Sequence, residues 1–202
     1  MLENKIATLQ GRQPDILDHE KSSRSAVLLP LVKIASELYV LFEKRSYKLD
    51  FQPGEICFPG GGIEEFDGNP TNAAIRETCE ELGVKPEQIE VVTPLDIMVS
   101  PFNTIVYPYL AYIHNCQHIR INPAEVENFF YVPLSYLLEH KPLYKTIPIT
   151  PSIPADFPVE LIPQGANYPF RHGSLPQYFY FWQDEVIWGL TARILHHFIN
   201  LL

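Results

Sequence analysis

Blocks of apolar residues separated by polar positions predict a series of β-strands. Strand-like runs rich in β-branched and aromatic residues cover residues 26–35, 37–45, 89–100 and 103–115. The first run is too apolar to lie on the surface, so we expect it to be buried. Ser36 and Glu37 lie between the first two runs and are predicted to form a turn.

Helical patterns complete this series of elements. Residues 1–20 are compatible with a short amphipathic helix, and residues 124–140 with a strand that leads into a short helix. The C-terminal segment 186–202 is predicted to be a strand followed by a helix. Its apolar residues recur at helical spacing, at Leu190, Ile194, Leu195, Phe198 and Leu202.

Residues 141–176 interrupt the pattern, because they contain eight of the 19 prolines. Proline removes a backbone donor and fixes φ, so little regular structure is expected there. Tyrosine and phenylalanine are too frequent in this segment for a disordered linker. We therefore predict one domain over residues 1–202, with an N-terminal extension at 1–24 and an ordered surface excursion at 141–176.

Charge and cysteine content exclude several classes of protein. The net charge is −9 and no basic stripe is present, so a nucleic-acid partner is not expected. The three cysteines suit neither a disulfide framework nor a zinc site. We find no secretory signal pattern and no apolar run of about 18 residues, so the sequence predicts a cytoplasmic protein without a membrane partner.

A helix over residues 70–82 carries signals at both of its ends. Asn69 is predicted to cap its N-terminus, and Pro70 suits the first helical position. Gly83 follows the last periodic residue, where a left-handed backbone is favoured. These signals predict both ends of the helix independently of the charges that it carries.

Three glutamates of this helix, Glu77, Glu80 and Glu81, fall within an arc of roughly 100°. They lie opposite an apolar face made of Ile75, Thr78, Cys79 and Leu82. A solvated charged face is the common explanation of such a group, but like charges at these spacings destabilise a helix. A divalent cation would reverse that effect, and oxygen ligands favour magnesium or manganese.

The glycine run 60–62 directly precedes this helix. Glycine allows positive φ and close approach of a ligand to the backbone. A glycine run is by itself more often a simple turn. Because this run precedes a capped acidic helix, it is predicted to position a substrate phosphate next to a metal bound by the helix. Gly60 and Gly61 are then predicted to contact the substrate.

Together these residues resemble the Nudix box, G-x5-E-x7-R-E-U-x-E-E-x-G-U. Its second half is matched by Arg76, Glu77, Glu80, Glu81, Gly83 and Val84, with Thr78 where an aliphatic residue is usual. In the first half, Asp67 occupies the glutamate position counted from Gly61, and eight residues separate it from Arg76. Glu64 and Glu65 are alternatives for that role.

Further segments are similar to the coenzyme A pyrophosphatase subgroup of Nudix hydrolases. They are residues 41–61, 122–138 and 187–195. Two positions depart from that subgroup: Asp50 stands where a basic residue is common, and Gly62 where lysine is usual. Lysine or another basic residue at these positions would contact an anionic substrate, so the departures leave the substrate less closely indicated than the family.

The resemblance implies an α/β Nudix fold, a mixed β-sheet sandwiched between α-helices. It also implies Mg²⁺ or Mn²⁺ bound by the three box glutamates, with Arg76 orienting a box carboxylate. Glu125 is our choice of general base, with Glu127 or a box glutamate as alternatives. Arg45 and Arg171 are candidates for binding the anionic substrate, together with the two glycines.

The resemblance implies a small-molecule substrate that is a nucleoside diphosphate derivative. The leading hypothesis is hydrolysis of coenzyme A or a derivative to 3′,5′-ADP and 4′-phosphopantetheine. The second hypothesis is hydrolysis of ADP-ribose or a dinucleotide, and the third is a binding module without turnover. The sequence leaves the oligomeric state open, with a homodimer as one option.

Overall fold

The computed structural model describes residues 2–202, which form two β-sheets and four α-helices. The eight strands of the main sheet are β1 (Ser23–Ile34), β2 (Glu37–Arg45), β3 (Ile56–Cys57), β4 (Gly60–Gly62), β5 (Ile89–Pro94), β6 (Met98–Ser100), β7 (Thr104–Ile113) and β8 (Val126–Pro133). The small sheet contains β9 (Leu143–Ile149), β10 (Gly173–Trp182) and β11 (Glu185–Ile187). The helices are α1 (Leu2–Ala7), α2 (Pro70–Leu82), α3 (Leu134–Glu139) and α4 (Gly189–Leu201).

The long, apolar strand β1 lies at the centre of the main sheet. It pairs in parallel with β7 and antiparallel with β2 and β4. The turn between β1 and β2 is one residue earlier than predicted, since Ala35 adopts a positive φ of 55°. Glu37 is therefore not a turn residue; it starts β2 and pairs with Ile34.

Alternate residues of β1 face two different helices, as the pleat of a strand requires. Leu28 packs with Ala73 and Ala74 of α2. Leu29 belongs to the larger cluster that contains Leu195 and Phe198 of α4. The sheet thus lies between α2 and α4, and the predicted mixed α/β sandwich is confirmed.

The proline-rich segment contains more regular structure than its composition predicted. Leu143–Ile149 forms β9, which pairs antiparallel with β10. Among residues 2–202, strand β9 pairs with β10 alone. Such an edge strand tolerates a proline such as Pro148, because one side of its backbone needs no partner. Residues 150–172 contain only short 3₁₀ turns, at Val159–Leu161 and Gly165–Asn167.

Both chain termini differ from the predicted helices. In the N-terminal segment the α-helix is limited to α1, and Met1 lies outside the described residues. At the other end, α4 stops at Leu201, so Leu202 is outside the helix and is 69% exposed. No helix within residues 2–202 is long and apolar enough to cross a membrane.

Candidate active site

The acidic helix α2 has the bounds that its end signals predicted. Asn69 Oδ1 accepts a hydrogen bond from Asn72 N at 2.9 Å, and Pro70 is the first helical residue. Gly83 ends the helix with a φ of 65°, and a Cβ there would lie 2.5 Å from the carbonyl oxygen of Arg120. Both ends are therefore fixed by local chemistry, and this fixes the positions of the glutamates along the axis.

The rotation of α2 about its axis differs from the prediction. Thr78 and Leu82 are buried as expected, but Ile75 and Cys79 are only half-buried. Glu81, predicted on the opposite side, is only 6% exposed. The reason is that strand β4 packs against α2 on this side.

The glycines of β4 make room for these glutamates. Gly60 N donates to Glu81 Oε2 at 2.8 Å. Gly60 has a φ of 142°, and a Cβ there would lie 2.3 Å from Ala26 O. A Cβ on Gly61 would lie 2.5 Å from Glu77 Cδ, whereas one on Gly62 would meet no atom within 4 Å. The structure thus requires glycine at Gly60, whereas at Gly61 an added Cβ would displace the end of the Glu77 side chain.

Arg76 links the helix to the irregular first half of the box. Its Nε and Nη2 donate to the two carboxylate oxygens of Asp67 at 2.9 and 3.1 Å. Its Nη1 donates to Glu77 Oε1 at 2.8 Å and lies 3.4 Å from Glu80 Oε2. Hydrogen bonding to Arg76 holds the pKa of the buried Asp67 below its usual value.

Of Glu64, Glu65 and Asp67, Asp67 is the acid whose carboxylate contacts Arg76 within residues 2–202. Its Oδ2 also accepts a hydrogen bond from Glu64 N at 2.8 Å. Glu64 and Glu65 are exposed, and neither side chain reaches Arg76 within the described part of the chain. The extra residue between Asp67 and Arg76 is accommodated at Gly68, which adopts a positive φ of 72°.

Glu43 is a further acidic residue at this site, and it lies outside the box and was not among the predicted site residues. Its side chain is 1% exposed, and neither carboxylate oxygen has a hydrogen-bond partner among the described residues. Burial raises its pKa well above the usual value, and the charges of Glu81 and Glu125 raise it further. One sequence feature could have identified Glu43: it is a charged residue two positions after the apolar Leu41, and alternate residues of a strand lie on the same face.

The remaining candidate acids differ in how strongly their charges act on Glu43, Glu77 and Glu81. Burial raises the pKa of Glu81 to about 8, and the charges of Glu77 and Glu125 act in the same direction. Glu125 also contributes to the raised pKa of Glu43 and of Glu77. Glu127 is exposed and contributes to none of these shifts, so of these two residues only Glu125 acts on the charges of this group.

Of the two candidate arginines, only Arg45 lies beside the acidic group. Its positive charge opposes the rise in the pKa of Glu43, and its Nε and Nη2 donate to Phe51 O at 3.3 and 3.2 Å. Arg171 is exposed just before β10 and makes no side-chain hydrogen bond or ion pair with any residue in 2–202. The structure does not bring Arg171 to the glutamates, so its role stays a prediction.

The donor set suits a hard divalent cation, because it consists of carboxylates and includes the unpaired oxygens of Glu43. Among residues 2–202, no three His, Cys, Asp or Glu side chains are already grouped around one metal position. The Glu77 carboxylate accepts a hydrogen bond from Arg76, and the Glu81 carboxylate accepts one from Gly60 N. The residues present therefore fit the cation by chemistry, and binding would require these side chains to turn.

Comparison with known proteins shows the family of this chain. The NUDIX domain model matches residues 23–149. The peroxisomal coenzyme A diphosphatase NUDT7 of Mus musculus is 39% identical over 134 residues, covering 66% of this chain and 56% of that protein. Nudix hydrolase 3 of Caenorhabditis elegans is 29% identical over 216 residues, covering 100% of this chain and 82% of that protein.

Two further matches complete the comparison. The peroxisomal coenzyme A diphosphatase ndx-8 of Caenorhabditis elegans is 37% identical, covering 57% of this chain and 50% of that protein. The chain thus spans about half the length of the two diphosphatases. A MutT/nudix family protein from Enterococcus faecalis shares the fold, with a TM-score of 0.51 at 18% identity, covering 100% of this chain and 69% of that one. The chain belongs to the Nudix family, and its sequence resembles the coenzyme A diphosphatases of that family.

Proposed function

We propose that this protein is a metal-dependent Nudix pyrophosphohydrolase acting on coenzyme A or a coenzyme A derivative. The products would be 3′,5′-ADP and 4′-phosphopantetheine or its acyl form. The observation that carries the reaction type is the contact of Glu77 and Glu81 with the glycines of β4. It sets the buried carboxylate of Glu81 and the half-buried carboxylate of Glu77 against a backbone that a diphosphate can approach closely.

The substrate class is supported by the two relatives named as coenzyme A diphosphatases. Arg45 adds a positive charge beside the acidic group and is our candidate for contacting a substrate phosphate. The relatives are named as peroxisomal, so a cytoplasmic location stays a prediction for this chain. A homodimer stays a prediction as well.

In this proposal Glu77, Glu80 and Glu81 hold Mg²⁺ or Mn²⁺. The bound cation would neutralise the diphosphate oxygens and lower the pKa of a water molecule. Arg76 positions Glu77, because its guanidinium is itself held by the buried Asp67. The chain thus supplies orientation and charge, which are the main contributions of proteins to phosphoryl chemistry.

Glu125 is our proposed general base. It is half-buried on the segment before β8, and its charge acts on three carboxylates of the site. A base in this position would accept the proton of the attacking water. The exposed Glu127 lacks these interactions.

The test compares Glu81→Gln with a matched control in an assay of coenzyme A hydrolysis with Mg²⁺. Removing an electrostatic group that acts in the transition state costs on the order of 10²–10³-fold in kcat. Glu87→Gln changes the net charge equally at an exposed position and should retain wild-type activity. Equal activity of Glu81→Gln and Glu87→Gln would remove the metal assignment. A wild-type protein that hydrolyses no diphosphate would instead support a binding module.

A further inference from the structure

Glu43 occupies a position that a packing residue would normally fill. It lies in the middle of the main sheet, where β2 pairs with both neighbouring strands: Glu43 is opposite Cys57 of β3 and Phe129 of β8. Leu41, two positions earlier on the same face, is fully buried and packs with Leu82 of α2. The carboxylate of Glu43 therefore projects from the sheet towards α2, on the side where Glu81 lies.

No cationic side chain within residues 2–202 forms an ion pair with the carboxylate of Glu43. Neither of its oxygens has a hydrogen-bond partner in residues 2–202. Arg45 is the nearby cation, but its guanidinium donates to the carbonyl oxygen of Phe51. The other charged neighbours are Glu81 and Glu125. Buried carboxylates are ordinarily paired with a cation or coordinate a metal. Glu43 has no such partner among residues 2–202, and a metal ion would supply one.

We propose that Glu43 supplies a further carboxylate to the divalent-cation site and holds the cation together with Glu81. This inference rests on the metal site of the proposed function and adds a residue from outside the box to it. A cation placed between α2 and β2 would satisfy the unpaired oxygens and relieve the repulsion between Glu43 and Glu81. Sheet and helix would then both contribute ligands to the metal.

The test is the affinity for Mn²⁺, measured by titration calorimetry on wild type, Glu43→Gln and the control Glu87→Gln. Glutamine has the same shape and keeps one oxygen, but it removes the negative charge. Loss of a group that only supports a metal ligand typically costs about 10–100-fold in metal affinity, and loss of a charged ligand should cost at least as much. We expect a loss of that size for Glu43→Gln and wild-type affinity for the exposed Glu87→Gln.

Thermal unfolding provides a second readout and shows whether the variants fold. Without metal, Glu43→Gln should melt above wild type near neutral pH, because burial opposes the ionisation of Glu43 in the folded protein but not in the unfolded chain. With saturating Mn²⁺, wild type should gain more in Tm than Glu43→Gln. A purely structural role for Glu43 would leave the metal-induced gain in Tm unchanged.

The outcomes separate this inference from the proposed function. If Glu43→Gln binds Mn²⁺ as tightly as wild type, the inference is wrong, even if both proteins hydrolyse coenzyme A. If wild type binds no Mn²⁺ or Mg²⁺, the metal site itself is wrong, and the inference falls with it. Weaker binding by Glu43→Gln alone, with wild-type binding by Glu87→Gln, supports the inference whatever the substrate proves to be.

Discussion

Replacing Gly61 by alanine would place one methyl group against the Glu77 carboxylate. The added Cβ would lie 2.5 Å from Glu77 Cδ and 2.7 and 2.8 Å from its two oxygens. Carbon atoms in contact normally stay roughly 3.5–4.0 Å apart, so the carboxylate must retreat by about 1 Å. That movement strains the 2.8 Å hydrogen bond from Arg76 to Glu77.

Two effects of different size follow from this geometry. Overpacking costs about 1–3 kcal/mol, and we expect about 1 kcal/mol because the end of a flexible side chain can move. A displacement of about 1 Å in a catalytic group can cost on the order of 10²-fold in rate. Gly61→Ala should therefore fold and lose most of its activity.

The matched control is Gly62→Ala, because a Cβ on Gly62 meets no atom within 4 Å. It should keep wild-type activity and change stability by less than about 0.5 kcal/mol. The assay is steady-state hydrolysis of coenzyme A with Mg²⁺, with thermal unfolding of the same samples. If Gly61→Ala is as active as Gly62→Ala, the close approach of Glu77 to Gly61 has no catalytic role and our reasoning about the glycines is wrong.

Three further predictions concern the elements that support the site. Asp67→Asn should lower Tm relative to the exposed Glu65→Gln, because an amide cannot accept both guanidinium hydrogen bonds; equal Tm values would refute this. Asn69→Ala removes the N-cap of α2 and should cost about 1 kcal/mol in urea unfolding, and no loss would contradict the cap. Burial lowers the pKa of His196, which stacks on Tyr178. The unfolded chain therefore binds that proton more readily, and wild type should lose stability relative to His196→Gln as pH falls below about 6.5. A constant difference between pH 8 and 5.5 would refute this last prediction.

Features specified by neighbouring residues were predictable from the sequence. The bounds of α2 agree with the prediction because Asn69, Pro70 and Gly83 act within one turn of the helix. Strand β1 was predictable because its apolar run is long, although the structure extends it to Ser23. The family was predictable because the second half of the box has a fixed spacing.

Features that depend on tertiary contacts were not predictable. The role of Asp67 depends on a 3₁₀ turn and on Gly68, which together bring its carboxylate to Arg76. Glu43 lies far along the chain from Glu81 and Glu125, and only the fold brings the three charges together. Strand β9 forms because β10 supplies its partner, and local proline content cannot show that.

The most direct test of the central claim is to incubate the purified protein with coenzyme A and Mg²⁺ and to identify the products by mass spectrometry. Our account predicts equal amounts of 3′,5′-ADP and 4′-phosphopantetheine, and their loss in Glu81→Gln. Intact coenzyme A together with cleavage of ADP-ribose or a dinucleotide under the same conditions would contradict the proposed substrate.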